Sequence, residues 1–180
     1  VLKARFKAVQ SGEVDLEKKR KPLIDHFLVL HQDLRRMEFT ERFIKESIRM
    51  FAPVPLIERE LQKDFDMGGS KFPKGSEVFI NAFIIHHNEE ITMRRCEPDD
   101  SWKFDPDRFL PENVATRHPY DYLPFSAGVR NCLGQKFAMQ EMKVIVSSAL
   151  RAFRFSSDKQ LLDQGFATEV VLKPTLGCDL

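Results

Sequence analysis

The 180 residues carry 28 basic and 27 acidic side chains, and 42% of them are hydrophobic. The formal net charge of +1 gives no whole-molecule reason to expect nucleic-acid binding, and the hydrophobic content is enough for the core of one domain. Three cysteines without a Cys-x-x-Cys pair support neither a disulfide framework nor a zinc cluster. No signal peptide is visible, and no apolar run approaches the ~20 residues of a membrane anchor, so none is expected in this chain.

In chain order, the predicted segments are a helix within residues 1–31, a helix within 33–55, a small antiparallel sheet over 61–85, a meander over 88–124, a loop over 125–134, a helix over 135–153 and a terminal hairpin over 160–180. The first helix runs from Pro22 to His31, since apolar residues follow a proline suited to a first turn. The second has its core over Glu41–Met50, with Thr40 as N-cap and Pro53 as the stop signal.

The sheet is predicted from strand-like segments that alternate with turn signals. These signals are Gly68-Gly69 and the stretch from Pro73 to Gly75. The meander contains five prolines and little periodicity, and such long loops are uncommon unless they are functional. His86 and His87 lack a cluster of further ligands at metal-binding spacing, so we interpret them as exposed or loop-packed imidazoles.

A thiol stands just before the strongest helical pattern of the sequence. Apolar residues recur at spacings of three and four from Ala138 to Phe153, which predicts a buried helix. Cys132 precedes this helix, two residues after Arg130 and between two glycines. The helix dipole and the arginine favour the thiolate, which is the form that binds metal. The alternative is an inert buried thiol. Cys96 and Cys178 carry no motif, and we assign them no role.

The segment Phe-Ser-Ala-Gly-Val-Arg-Asn-Cys-Leu-Gly resembles the Phe-x-x-Gly-x-Arg-x-Cys-x-Gly loop of the cytochrome P450 family. The resemblance implies haem b as cofactor, with Cys132 as the axial ligand of its iron. The residues that it assigns to cofactor binding are Phe125, Gly128, Arg130, Cys132, Gly134 and Arg59. Arg59 and Arg130 are expected at haem propionates, which suit a planar guanidinium. For Arg59, a solvent-facing strand residue is the alternative.

Two further family motifs occur in the expected order. Glu46-x-x-Arg49 lies on the second predicted helix, where a spacing of three puts both side chains on one face. By itself, such an ion pair is common on exposed helix surfaces and adds little stability. Together with Phe104-Asp105-Pro106-Asp107-Arg108-Phe109, it resembles the family's Glu-Arg-Arg triad, in which Arg108 completes a buried structural network.

Residues 44–49, 104–113 and 134–138 are most similar to the fatty-acid omega-hydroxylase branch, family four. The resemblance implies a mainly α fold with a small antiparallel sheet, the C-terminal portion of the P450 fold. The implied parent reaction is hydroxylation of an apolar substrate such as a fatty acid, with dioxygen and with NADPH electrons delivered by a flavoprotein reductase. Cytochrome b5 is a further candidate partner, Lys136 and Lys143 are candidate docking charges, and the parent protein is expected on the cytoplasmic face of the endoplasmic reticulum membrane.

The sequence departs from the family where oxygen activation is normally supported. Relatives place a long central helix, with a glycine-rich acid–alcohol motif, between the counterparts of His31 and Asp33, which here are almost adjacent. No Ala-Gly-x-Asp/Glu-Thr string occurs, so we expect no oxygen-activating residue and no activity from this chain alone. Residues 88–103 also fit the family poorly. The alternative hypothesis is a non-catalytic haem-binding or interaction remnant, from a truncated gene or an error in the gene model.

Overall fold

A computed structural model of the protein describes residues 33–88, 100–157 and 165–175. Its elements are α1 (Glu38–Met50), β1 (Leu56–Glu60), β2 (Phe65–Met67), β3 (Ser70–Phe72), β4 (Glu77–Asn81), α2 (Ala82–His87), α3 (Pro111–Val114), α4 (Gln135–Ala152), β5 (Phe166–Thr168) and β6 (Leu172–Pro174). Turns of 3-10 helix occupy Asp100–Trp102, Pro106–Phe109 and Gly128–Arg130. The predicted helix from Pro22 to His31, together with Cys96 and Cys178, lies outside the described residues.

Helix α1 presents a buried stripe to the rest of the structure. Ile44 and Ile48 lie one turn apart and are buried, and the helix contacts α2, α4 and the turn Pro106–Phe109. Acidic residues in its first turn and a basic residue in its last turn complement the helix dipole. The helix begins at Glu38, so it starts before the predicted N-cap Thr40.

The strands form three separate antiparallel pairs, β1–β4, β2–β3 and β5–β6. This differs from the single sheet predicted over residues 61–85, because β1 begins at Leu56 and residues 82–85 belong to α2. The change from strand to helix occurs inside an apolar run, where periodicity gives no boundary signal. It is set by Asn81, whose Oδ1 accepts a hydrogen bond from Ile84 N at 3.0 Å and caps α2.

Helix α4 has the predicted length, but the prediction that it is buried is wrong for the described structure. Lys143 is its one buried residue, while Ile145 is 59% exposed and Leu150 is 64% exposed. Within the described residues, its extensive contact is with α1. Much of the apolar side of α4 is therefore exposed in these parts of the chain.

The core is small and contains many charged groups. Its buried apolar side chains are Leu34, Ile44, Ile48, Met50, Ala52, Ala82, Phe109 and Leu123. The buried polar and charged side chains are Glu46, Arg49, His86, Ser101, Arg108 and Lys143. Burying a charge costs free energy unless the charge is paired. The partners of these buried polar groups therefore hold the loops that surround the core.

The β5–β6 hairpin is attached to the segment that follows α1. Leu172 N donates to Pro53 O at 2.9 Å, and the rings of Phe51 and Phe166 lie 4.9 Å apart. The hairpin predicted within residues 160–180 is thus present over its described part, and it contacts the segment that leads into β1.

Candidate functional site

The loop before α4 is closed by its own backbone. Cys132 N donates to Phe125 O at 2.9 Å, and Asn131 N donates to Gly128 O at 3.2 Å across a 3-10 turn. Gly128 has φ of +77°, a conformation that favours glycine, and a Cβ placed there would meet only open space. The loop therefore leaves room beside its backbone and presents the exposed thiol of Cys132.

A cavity of about 620 Å³ lies against this loop. Its walls come from α1, β1, the loop and α4, and its lining includes the apolar side chains of Ile48, Val54, Leu56, Ile57, Leu123, Phe125, Ala138 and Met142. Cys132, Arg59 and Arg130 also line it. Glu58 and Ser126 line it as well, so the cavity combines a large apolar wall with one thiol, two guanidinium groups and one acidic residue.

Arg59 joins β1 to the cysteine loop. Its Nη2 donates to Ser126 Oγ at 3.2 Å and its Nη1 donates to Glu58 O at 2.7 Å. Ser126 has φ of +62°, which is unusual for a residue with a side chain, and it is the one such residue in the described ranges. Arg59 is half-buried and lines the cavity, so it does not match the alternative of a solvent-facing strand residue.

The ionic triad lies next to the cavity, with all three members buried. Arg49 Nε donates to Glu46 Oε2 at 2.8 Å and Arg49 Nη2 donates to Glu46 Oε1 at 2.9 Å. Arg108 Nε lies 3.4 Å from Glu46 Oε1, which also accepts from Asp105 N at 2.9 Å. The carboxylate of Glu46 therefore ties α1 to the meander, as the motif spacing predicts.

Two residues that the sequence analysis did not single out support Arg108. Arg117 Nη2 donates to Arg108 O at 2.8 Å, and its guanidinium carbon lies 4.8 Å from the ring centre of Phe109. Tyr122 donates to Lys45 O at 3.0 Å. Burial lowers the pKa of Arg117 and raises the pKa of Tyr122. Neither residue belongs to a recurring pattern in the sequence, so no local signal identified it.

His86 is buried, with 1% of its surface exposed, and its ring is used structurally. Its Nε2 accepts a hydrogen bond from Leu123 N at 2.9 Å, and its ring centre lies 5.1 Å from that of Tyr122. Burial lowers the pKa of His86 to about 4, with His87 contributing in the same direction. Among the described residues, no group of His, Cys, Asp and Glu could hold a metal ion.

The two lysines predicted as docking charges lie in different environments. Lys136 is exposed, whereas Lys143 is only 5% exposed and donates to Leu34 O at 2.9 Å and to Glu41 Oε2 at 2.6 Å. The prediction for Lys143 is therefore wrong, because its ammonium group is already buried and paired. Partial burial opposes ionisation of Glu41, but hydrogen bonds from Lys143 and Lys45 hold its pKa below the usual value.

A second cavity, of about 570 Å³, lies between α1 and the start of α4. We call it the basic groove because Arg35, Lys45 and Lys136 line it. Pro124 and Phe125 line both this groove and the cavity of Cys132, so the two cavities share a wall just before the cysteine loop.

Residues 20–178 match the family described as Cytochrome P450. Together with the loop, the triad and their order along the chain, this match establishes that the chain belongs to the cytochrome P450 family. The predicted fold class is confirmed, because the helices and small antiparallel sheets correspond to a C-terminal portion of that fold.

Its curated relatives carry family 4 names. The chain is 41% identical over 152 residues to "Cytochrome P450 4V2" of Mus musculus, covering 84% of this chain and 28% of the relative. It is 43% identical over 143 residues to "Cytochrome P450 4c21" of Blattella germanica, covering 79% and 27%. The chain thus spans about a quarter of the length of these relatives.

Solved structures support the fold. The haem domain described as "Crystal structure of cytochrome P450DA heme domain" superposes with a TM-score of 0.68 at 24% identity, covering 96% of this chain and 35% of that chain. Across the described residues, we find no helix long and apolar enough to cross a membrane.

The family cofactor is haem, and the residues of the cavity fit it. An iron porphyrin presents a broad apolar face, one metal centre and two carboxylates, and the cavity offers apolar walls, one thiol and two guanidinium groups. The open space beside Gly128 also allows backbone to approach a flat ring.

Proposed function

We propose that this chain is the haem-binding portion of a cytochrome P450 monooxygenase and that Cys132 is the axial ligand of the haem iron. The observation that carries the proposal is the position of the Cys132 thiol, exposed on a closed loop and facing an apolar cavity of about 620 Å³. Arg59 and Arg130 line the same cavity and would bind the propionates of the cofactor.

Other residues of the loop fix the position of Cys132 and leave space beside it. Phe125 supplies both the carbonyl that fixes the Cys132 amide and part of the apolar lining. Gly128 leaves space for a ring, and a Cβ at Gly134 would make only an ordinary contact with Cys132 Sγ, at 3.9 Å. When bound, a thiolate-ligated haem supplies the reductive activation of dioxygen that inserts one oxygen atom into a C–H bond and releases the other as water.

For the parent protein, we propose hydroxylation of an apolar substrate such as a fatty acid, on the cytoplasmic face of the endoplasmic reticulum membrane. The family 4 names of the relatives agree with the branch that residues 44–49, 104–113 and 134–138 resemble, and the substrate class is proposed from that resemblance. Electrons would come from NADPH through a flavoprotein reductase, with cytochrome b5 as a further partner. The basic groove suits an acidic partner surface, and its exposed Lys136 is the best docking charge.

The absorption spectrum of the reduced, carbon-monoxide-bound chain tests the proposal. We expect the red-shifted Soret band of thiolate-ligated haem in the wild type and its complete loss in Cys132→Ala, because the mutation removes the ligand. Cys96→Ala and Cys178→Ala are matched controls and should retain the band, since neither residue stands in the Phe-x-x-Gly-x-Arg-x-Cys-x-Gly pattern that precedes a helix. A Cys132→Ala spectrum identical to that of the wild type would refute the assignment.

The second candidate function is a non-catalytic haem-binding or interaction remnant. It is favoured by the absence of an acid–alcohol motif from the 180 residues and by the exposed apolar side of α4. Turnover separates the two functions. A thiolate spectrum without product, in the presence of reductase, NADPH and a fatty acid, would support the remnant.

A further inference from the structure

We infer that His86 is a positioning residue for the cysteine loop, because its ring accepts the hydrogen bond that connects the buried ionic triad to the segment leading to Cys132. The inference rests on the proposed role of Cys132 as the haem ligand. It concerns the position of that ligand and assigns His86 no direct contact with the cofactor.

The first step is the link between the triad and the end of α2. Arg49, held by two hydrogen bonds to Glu46, uses its remaining Nη1 to donate to His86 O at 3.1 Å. Both the guanidinium and the imidazole are buried, so this contact is shielded from water. The ion pair of Arg49 and Glu46, which also binds the meander, therefore holds the backbone of His86 in place.

The second step leads from the ring of His86 to the thiol. His86 Nε2 accepts from Leu123 N at 2.9 Å, and Leu123 is itself buried. Two residues further on, Phe125 O accepts from Cys132 N at 2.9 Å and closes the loop. His86 therefore holds the amide of Leu123, two residues before the carbonyl of Phe125 that accepts from the Cys132 amide.

The hydrogen bond requires a neutral ring with an unprotonated Nε2. The low pKa of His86, about 4, agrees with this state. A glutamine places its side-chain oxygen near the position of a histidine Nε2, so His86→Gln retains an acceptor for Leu123 N. His86→Phe retains the ring volume and the packing against Tyr122 but removes the acceptor.

The experiment compares amide hydrogen exchange in the full 180-residue chain without haem. In His86→Phe, we expect exchange at Leu123 N and Cys132 N to become roughly tenfold faster, because a buried amide loses its partner. His86→Gln should restore most of the protection. His87→Phe is the matched control, since His87 is on the same helix and its ring packs on Trp102 at 4.2 Å, and it should leave both amides unchanged.

A second readout uses the haem-loaded chain. His86→Phe should reduce the fraction of thiolate-type carbon monoxide complex, with His86→Gln closer to the wild type. Unchanged protection of Cys132 N in His86→Phe would overturn the inference, and equal losses in both variants would assign His86 a packing role only. If the wild type binds no haem, the proposed function fails, but the exchange measurement still decides whether His86 positions the loop.

Discussion

Glu46 has no exposed surface, and both of its carboxylate oxygens are occupied by Arg49, Arg108 and the Asp105 amide. Removing one partner strands the remaining charges in a low-dielectric interior. We therefore expect Glu46→Ala, Arg49→Ala and the double mutant each to cost about 3–5 kcal/mol, with strong non-additivity, because each single change already breaks the network. Denaturant unfolding in a double-mutant cycle measures this coupling.

The exposed pair Lys173 and Glu169, whose charged atoms are 2.6 Å apart, is the matched control. Its side chains are more than half exposed, so its loss should cost at most about 0.5 kcal/mol because solvent screens the charges. Additive losses of this small size at Glu46 and Arg49 would contradict a buried triad.

The neutral ring of His86 also predicts a pH dependence of stability. Its pKa is about 4 in the folded chain, where burial and nearby His87, Arg49 and Arg117 disfavour the charged ring, against 6.5 when unfolded. Stability is therefore fully present above pH 6.5 and falls as the pH drops towards 4, by up to about 3 kcal/mol. Urea unfolding between pH 7 and 4.5 is the measurement.

His86→Gln should flatten this profile, because glutamine does not titrate. Part of the slope will remain, since burial also lowers the pKa of His87. A profile as steep as that of the wild type would show that His86 is not the titrating group.

The sequence identified the charged side chains better than the groups that support them. Glu46, Arg49, Arg108 and Cys132 stand in spaced motifs, and the structure places them in one triad and one loop. The positions of the supporting residues depend on contacts between distant parts of the chain. The amide of Leu123, for example, meets a ring 37 residues earlier in the sequence, and no local pattern records that contact.

Where α4 contacts α1, the side chain of Lys143 connects the two helices. Lys143 donates to Leu34 O, just before α1, and to Glu41 of α1, whereas Lys136 lies about two helix turns earlier in α4 and is exposed. We expect Lys143→Met to destabilise the chain by about 1–3 kcal/mol, because it leaves the carbonyl of buried Leu34 without its donor and removes one of the two lysines paired with Glu41. Thermal unfolding measures the loss.

Lys136→Met provides the contrast. It should change stability by less than about 0.5 kcal/mol, since it alters an exposed side chain. In a binding assay with the proposed flavoprotein reductase, it should weaken attachment more than Lys143→Met does in the folded chain. The reverse ranking would restore Lys143 as a docking charge and contradict its burial.

Helix α1 and helix α4 were predictable because their apolar residues recur every three or four positions over several turns. Burial of α4 was not predictable, since burial depends on which surface is available to cover the apolar side. The boundary between β4 and α2 was missed because every residue from Val78 to Ile85 except Asn81 is apolar. Only the side chain of Asn81 marks the point where the backbone changes conformation.

For the molecule as a whole, we predict that the 180-residue chain will not hydroxylate a fatty acid, even if it takes up haem. The sequence contains no acid–alcohol motif to relay protons, and a monooxygenase depends on a preorganised pocket that excludes water. Product formation with reductase and NADPH should not exceed that of Cys132→Ala. Sustained turnover that depends on Cys132 would contradict this prediction.

The bond from Leu172 to Pro53 joins two segments that lie near opposite ends of the described chain. A ribosome synthesises α1, the strands and the cysteine loop well before it adds β5 and β6. Until then, Phe51 lacks the ring of Phe166 that packs on it. Contacts between such distant positions form late and slow folding, because a long loop must close first. A nascent chain arrested before Gly165 therefore leaves the ring of Phe51 without this contact, so a chaperone can bind there until β5 and β6 are synthesised.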